Sequence, residues 1–213
     1  ESGVLWGTHA PQVKALQREW AEYIGTKHCL ATNSGTAALH IACAAAGVGP
    51  GDEVITTAFT FVATALGAMH NNAIPVFVDV DPKTFNIDVG KIEEKITEKT
   101  KAIMPVHLHG LPADMDEINA IAKKHHLLVI EDACQAHGAT YKGKKAGALG
   151  DMAAFSLNGS KNLPGGEGGL FNTNSDEYAM QADMVRTLGW FIMENEEREY
   201  NAVKVGWMYR YQE

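Results

Sequence analysis

Residues 129–169 read VIEDACQAHGATYKGKKAGALGDMAAFSLNGSKNLPGGEGG, and this stretch decides the fold. One apolar segment ends in Glu131 and Asp132, and a second, MAAFS, ends in Ser156. Lys161 follows five residues after Ser156, in a loop rich in glycine. If the two segments are strands of one sheet, a carboxylate, a hydroxyl and an amine converge at one edge of it, where ligands of such sheets bind.

Short apolar segments alternate with helical patterns on both sides of this stretch. Apolar residues at helical spacing predict helices at 11–24, 36–46, 61–71, 89–96, 115–125 and 176–188. Short apolar runs predict strands at 29–31, 53–56, 75–80, 101–106, 127–130, 152–155 and 169–173. The short connections between them indicate an α/β fold of three layers, with a mostly parallel sheet covered by helices on both faces.

Composition narrows the class of protein. The 213 residues suit a single domain, and 46% hydrophobic with 21% charged residues is typical of a globular chain. The net charge of −8, without a basic stripe, disfavours nucleic-acid binding. Cys29, Cys43 and Cys134 have no metal-like or disulfide-like spacing, so we expect buried reduced thiols and a cytoplasmic protein. We recognise no signal peptide and no apolar run of membrane-spanning length.

The three groups at the predicted sheet edge suit pyridoxal phosphate. Asp132 could face the pyridine nitrogen and keep it protonated, Ser156 could bind the phosphate, and Lys161 could react with the aldehyde. The glycines of its loop would let the backbone pass close to a ligand. Taken alone, Asp132 could instead form a structural salt bridge or cap a loop, and Lys161 could be an ordinary solvated lysine.

Two further segments bear on this ligand. In NSGTAAL, residues 33–39, a glycine turn leads into a helix whose free amides could bind a phosphate, although Ser34 or Thr36 could simply cap the helix. Phe61 could stack on a cofactor ring or belong to the core. Gln135 could bond the phenolic oxygen of the cofactor.

His107 and His109 alternate in VHLHG, so we expect both side chains to point to one side of a strand, as zinc ligands would. The spacing of the sequence places no third ligand beside them. We therefore predict no metal site.

Several motifs occur together in the order and spacing of one known family: NSGTAAL, TFVATALGAM, PVFVDVDPKTFNID, VHLHGLPADMD, EDACQAHGA, GDMAAFSLNGSKNLPGGEGG and GWMYR. From about residue 2 onward the chain resembles the DegT/StrS-type nucleotide-sugar aminotransferases, which are fold-type-I pyridoxal-phosphate enzymes. The resemblance implies a role for each matching residue. These are Lys161 as the Schiff-base lysine, Asp132 as the pyridinium partner, Gln135 at the phenolic oxygen, Gly35, Thr36, the Ala37 amide and Ser156 at the phosphate, Phe61 on the ring, and His109 and Arg210 as substrate contacts.

The resemblance also implies an activity and an assembly. It implies amino transfer from glutamate or glutamine to a keto group of a nucleotide-linked sugar or related cyclic polyol, in a homodimer with shared active sites where Arg210 serves the neighbouring site. A sugar dehydratase on the same scaffold is an alternative, but such relatives carry histidine in place of Lys161. A non-catalytic protein with the same fold is another alternative.

Three features depart from the family pattern. The family motif G-Y-N-Y-R reads GWMYR here, so Met208 replaces an asparagine that reaches across the dimer to the phosphate, and we expect weaker cofactor binding. Residues 158–160, NGS, replace a more usual aromatic-Pro-Thr, which we expect to loosen the loop. Family members also extend beyond both ends, so we expect residues 1–213 to be the cofactor-binding large domain without the extreme N-terminus and the small C-terminal domain.

Overall fold

The computed structural model describes residues 10–190 and 202–211. Its helices are α1 (Pro11–Ile24), α2 (Gly35–Ala45), α3 (Ala63–Met69), α4 (Met115–His125) and α5 (Asp176–Arg186). Its strands are β1 (His28–Thr32), β2 (Glu53–Thr57), β3 (Ile74–Val78), β4 (Thr100–Ile103), β5 (Leu128–Asp132), β6 (Thr140–Tyr141), β7 (Lys144–Lys145), β8 (Met152–Ser156) and β9 (Gly169–Thr173). None of the helices in these ranges is long and apolar enough to cross a bilayer.

Seven strands form one sheet in the order β1-β9-β8-β5-β4-β2-β3. Only β9 runs against the others, because it pairs antiparallel with both β1 and β8, whereas β8, β5, β4, β2 and β3 pair parallel. The predicted mostly parallel sheet is therefore confirmed. Asp132 pairs with Ala154 across β5 and β8, so both strands end at the same edge. Strands β6 and β7 form a separate hairpin that the sequence patterns did not predict.

Apolar side chains alternate between the two faces of the sheet, which is why helices cover both. Ile130 packs in the cluster formed with α2, α3 and α5, whereas its neighbour Val129 packs in the cluster formed with α4. The same alternation places Phe171 with α2 and α5, and Leu170 with α1. Helix α2 packs against β8 and β9, and its residues Leu39 and Ile41 are almost fully buried.

The helices begin and end where local chemistry predicts. Pro11 opens α1, where its missing N–H costs nothing, and Gly25 ends it with a left-handed φ of 85°. Ser34 caps α2 by accepting a hydrogen bond from the Ala37 amide, and Ser175 caps α5 in the same way.

Two sequence predictions are wrong in detail. The helix expected at 89–96 is two short 3₁₀ turns, Val89–Lys91 and Glu93–Lys95, because the Asp88 side chain bonds the Gly90 amide and favours a tight local turn. The strand expected at 101–106 ends at Ile103, and a 3₁₀ turn, Leu108–Gly110, follows.

His107 and His109 consequently do not share a face. His107 is fully buried, whereas His109 is exposed with a left-handed φ of 49°. Across the described ranges, no cluster of three or more His, Cys, Asp or Glu side chains is arranged to hold a metal ion.

Residues 202–211 return to the edge of the sheet beside β1. The Asn33 amide donates a hydrogen bond to the Tyr209 carbonyl at 2.8 Å, and Thr32 forms a bridge with Arg210. The Trp207 amide likewise donates to the Val185 carbonyl at 2.7 Å. These backbone bonds hold the segment near the start of α2.

Candidate active site

A cavity of about 300 Å³ opens at the carboxyl ends of β5 and β8, beside the start of α2. Seven of the predicted site residues line it: Gly35, Thr36, Phe61, Asp132, Gln135, Ser156 and Lys161. Seven others also line it that the sequence did not single out as ligands: Ser34, Leu39, Ala63, Cys134, Asn158, Ser160 and Glu167. Tertiary structure thus brings together groups that are up to 133 residues apart in the chain, from Ser34 to Glu167.

Asp132 lies at the floor of this cavity and is 5% exposed. The Thr64 hydroxyl donates to its Oδ2 at 2.6 Å, and the Cys134 amide donates to its Oδ1 at 3.1 Å. Neither donor is a cation, so these bonds fix the carboxylate without neutralising its charge. An anion held in this way suits a protonated ring nitrogen. Of the two alternatives for Asp132, the salt bridge receives no support from these bonds, whereas the bond to the Cys134 amide two residues later is a loop cap, which occupies Oδ1 alongside any role toward a ligand.

Thr64 is a neighbour of Asp132 that sequence reasoning missed. It is the second residue of α3, and it also shares a 2.8 Å hydrogen bond with the Thr60 hydroxyl. The sequence marks Thr64 only as a hydroxyl residue within an apolar helix. Such residues are common in helices that carry no site, so this feature does not predict a contact with Asp132.

The start of α2 lies against the end of β8. A Cβ added to Gly35 would come within 2.7 Å of the Ser156 Cβ, so only glycine permits this approach. The Ser34 hydroxyl accepts the Ala37 amide at 3.0 Å, which confirms the capping alternative for Ser34. Because the Ala37 amide is engaged in that bond, its role as a phosphate ligand stays a prediction. Thr36 and Ser156 both face the cavity beside the helix N-terminus, where an anion is favoured.

The loop that carries Lys161 is held by its own polar groups. The Lys161 amide donates to the Asn158 carbonyl at 2.9 Å, and the Asn158 side chain donates to Glu167 at 2.9 Å. The Gly165 amide donates to the Leu157 carbonyl at 2.7 Å, which ties the loop back to β8. Lys161 is half-buried and lines the cavity wall.

The other two predicted ring contacts lie at the cavity wall. Phe61 is 66% exposed, so the alternative that it belongs to the core is wrong. Gln135 faces the cavity, and its Oε1 accepts a hydrogen bond from the His109 amide at 3.0 Å. The side chain of His109 itself is exposed and is not among the groups that line the cavity.

Burial sets the protonation of two groups next to the cavity. Desolvation, reinforced by the negative charge of Asp132, raises the pKa of the Cys134 thiol well above its usual value. Desolvation also lowers the pKa of His137, and the positive charge of Lys161 acts in the same direction. At neutral pH Cys134 is therefore a thiol rather than a nucleophilic thiolate, and His137 is a neutral imidazole.

Arg210 and Met208 lie outside this cavity. The Arg210 guanidinium donates to the Met208 sulfur, with its Nη2 at 2.8 Å, and the Met208 side chain is half exposed. Their roles toward a neighbouring subunit stay predictions.

Two curated proteins are similar to this chain in sequence. A GDP-perosamine synthase from Caulobacter vibrioides is 50% identical over 195 residues, which are 92% of this chain and 52% of that protein. A pleiotropic regulatory protein from Geobacillus stearothermophilus is 55% identical over 178 residues, which are 83% of this chain and 48% of that protein. The chain thus spans about half the length of these relatives.

A solved structure also has the same fold as this chain. The structure of NtdA from Bacillus subtilis with bound cofactor PMP superposes with a TM-score of 0.88 at 35% identity, and the match covers 99% of this chain and 46% of that one. The order of strands and helices described above is therefore that of an experimentally observed fold. Residues 3–213 match the DegT/DnrJ/EryC1/StrS aminotransferase family, and the chain belongs to that family.

Proposed function

We propose that this chain is the cofactor-binding part of an aminotransferase that uses pyridoxal phosphate. It would move an amino group from glutamate or glutamine to a keto group of a nucleotide-linked sugar or a related cyclic polyol. One observation carries the proposal: a single cavity is lined by Lys161, by the carboxylate of Asp132, and by Ser156 beside a helix N-terminus. Family membership and the identity to a GDP-perosamine synthase support it.

The cavity fits this cofactor by the chemistry of its walls. A phosphate would meet the start of α2, with the hydroxyls of Thr36 and Ser156 as donors, and the absence of a side chain at Gly35 lets the start of the helix approach Ser156. Phe61 would cover one face of the ring. When bound, pyridoxal phosphate supplies an electron sink for the carbon that loses a proton.

Asp132 and Lys161 would have different roles in proton transfer. Asp132, held by Thr64 and the Cys134 amide, would keep a proton on the ring nitrogen. Lys161 would hold the aldehyde and, once released by the amino donor, would carry the proton away from the α-carbon of that donor. Its half-buried position shields the amine from water during that transfer.

We also propose that the protein is a homodimer in which Arg210 and His109 contact substrate at shared sites. Exposed apolar side chains next to the cavity residue Phe61 support a subunit interface there, because Phe59, Phe61 and Val62 are each more than half exposed. Residues 1–213 would be the large domain of each subunit. The three free cysteines are buried, which supports the predicted cytoplasmic location.

Absorption spectroscopy tests the proposed function. Addition of pyridoxal phosphate to the protein should produce an absorbance band that Lys161→Ala abolishes, whereas Lys14→Ala, at an exposed lysine of α1, should leave it intact. Glutamate or glutamine should then convert the band to that of the amine form. A band that survives Lys161→Ala would remove Lys161 from this role.

A non-catalytic protein of the same fold is the second candidate. Two observations favour it: Met208 at the family's asparagine position, and the 55% identity to a protein named as a pleiotropic regulator. Such a protein would bind pyridoxal phosphate but would fail to convert it with either amino donor. The conversion described above therefore separates the two candidates.

A further inference from the structure

We propose that the buried pair Glu131–His107 is a positioning device that orients the side-chain amide of Gln135 in the cavity. The pair acts through the loop that starts at His107 and through the backbone amide of His109. This inference rests on the proposed function, because its test uses the bound cofactor. It assigns a role to two buried groups that do not line the cavity.

Glu131 is a buried carboxylate with a full set of neutral donors. It is 0% exposed and precedes Asp132 on β5, so it projects from the opposite face of the sheet. It accepts the amides of Gly147, Leu149 and Gly150, each at 2.7 Å, and His107 Nε2 at 2.8 Å. Since four donors converge on its two oxygens, the carboxylate has essentially one position.

The hydrogen bonds of His107 define its tautomer. Its Nδ1 accepts the Ala113 amide at 3.1 Å, so that nitrogen carries no proton, and Nε2–H is the donor to Glu131. The His107 amide also donates to the Asp132 carbonyl at 3.0 Å. The His107 backbone thus fastens the first end of the loop 107–113 to β5, and its imidazole links the last residue, Ala113, to Glu131 on the same strand.

The fastened loop turns sharply at His109. This residue has a left-handed φ of 49°, a conformation that costs a non-glycine residue energy and persists only where its surroundings impose it. In that conformation the His109 amide donates to Gln135 Oε1 at 3.0 Å. The carbonyl end of Gln135 is thereby occupied, and its NH₂ end is left to donate into the cavity.

The orientation of this amide has a chemical consequence. A side-chain NH₂ favours a negatively charged oxygen on a ligand, whereas a reversed amide would present a carbonyl oxygen and repel it. Asn86 also holds this loop, because its side chain bonds the Leu108 amide and the Leu111 carbonyl. Without the His107–Glu131 pair the loop loses its link from Ala113 to β5, so the His109 amide is held less firmly and Gln135 turns more freely. The pair is therefore expected to control the ionisation of a ligand oxygen that Gln135 contacts, without touching the ligand.

The test is a pH titration of the absorbance band of the protein loaded with pyridoxal phosphate. A donor to the phenolic oxygen favours the ionised form, so its loss should move the titration midpoint to higher pH. His107→Phe keeps a planar aromatic ring, slightly larger than imidazole, but removes both side-chain hydrogen bonds. We expect it to raise the midpoint by about one pH unit, a tenfold change that corresponds to one hydrogen bond to a charged group.

A double-mutant cycle separates positioning from general damage. Gln135→Ala should raise the midpoint by a similar amount, and the double variant should shift it no further, because both changes remove the same bond. Ile118 is fully buried on α4, on the same side of the sheet as Glu131. Ile118→Ala should therefore lower thermal stability without moving the midpoint of the pH titration. If His107→Phe does not fold, His107→Gln carries the same test with a smaller shift of the same sign.

The outcomes are distinguishable. The same midpoint in wild type and in the folded His107 variant overturns the inference, and so does a His107 shift that persists in full in the Gln135→Ala background. A wild-type protein without a cofactor band overturns the proposed function and, with it, this inference. A His107 shift that disappears in the Gln135→Ala background supports the inference.

Discussion

The contact between α2 and β8 makes Gly35→Ala the most informative single substitution in the cavity wall. The new Cβ would lie 2.7 Å from Ser156 Cβ, 3.1 Å from Ser156 Cα and 3.2 Å from Cys134 Sγ. Both Ser156 atoms belong to a buried central strand and cannot move aside, so the start of the helix must shift. Overpacking of this kind costs about 1–3 kcal/mol, and the better helix propensity of alanine returns at most about 1 kcal/mol.

We therefore expect a net loss of about 1–2 kcal/mol, which lowers the midpoint of thermal unfolding by about 2–8 °C for a chain of this size. Pyridoxal phosphate should bind at least about tenfold more weakly, because displaced amides lose a hydrogen bond to its phosphate. Gly49→Ala is the matched control, since its added Cβ would meet nothing within 4 Å. The two quantities are measured by calorimetry without cofactor and by fluorescence titration with it.

Equal stability and equal cofactor affinity in Gly35→Ala and Gly49→Ala would refute the reasoning. A loss of stability without a loss of affinity would show that the phosphate does not lie at the start of α2.

Three further predictions follow from single contacts. Thr64→Val removes the hydroxyl that donates to Asp132 at 2.6 Å and should cost about 1–3 kcal/mol in urea unfolding, with weaker cofactor binding. Gly147→Ala would place a Cβ 2.4 Å from the Phe155 ring at a φ of 97°, so we expect a loss of about 2–4 kcal/mol in the same assay. Burial lowers the pKa of His40 from 6.5 to about 4, so the unfolded chain binds the proton first. The stability contributed by neutral His40 is thus complete above pH 6.5 and is lost as pH falls toward 4, and His40→Phe should flatten that part of the stability curve.

Sequence patterns were most reliable where the periodicity is strong and local. The helices at Pro11–Ile24 and Met115–His125 have the predicted bounds, because apolar spacing and end signals agree. The segment 89–96 failed because its side chains form competing local hydrogen bonds that apolar spacing does not report. The placement of Lys161 and Asp132 in one cavity followed from a topological rule, since neighbouring parallel strands end at the same edge.

By itself the sequence determined the class of fold, the edge of the sheet where polar groups collect, and the set of groups that suits one cofactor. These are consequences of periodicity and of the order of residues along the chain. Only the tertiary structure decided which groups hold those residues in place: the Thr64 hydroxyl on Asp132 and the His107–Glu131 pair behind it. Such partners lie 24 to 68 residues apart in the chain, and their contact depends on how helices and strands pack rather than on any local pattern.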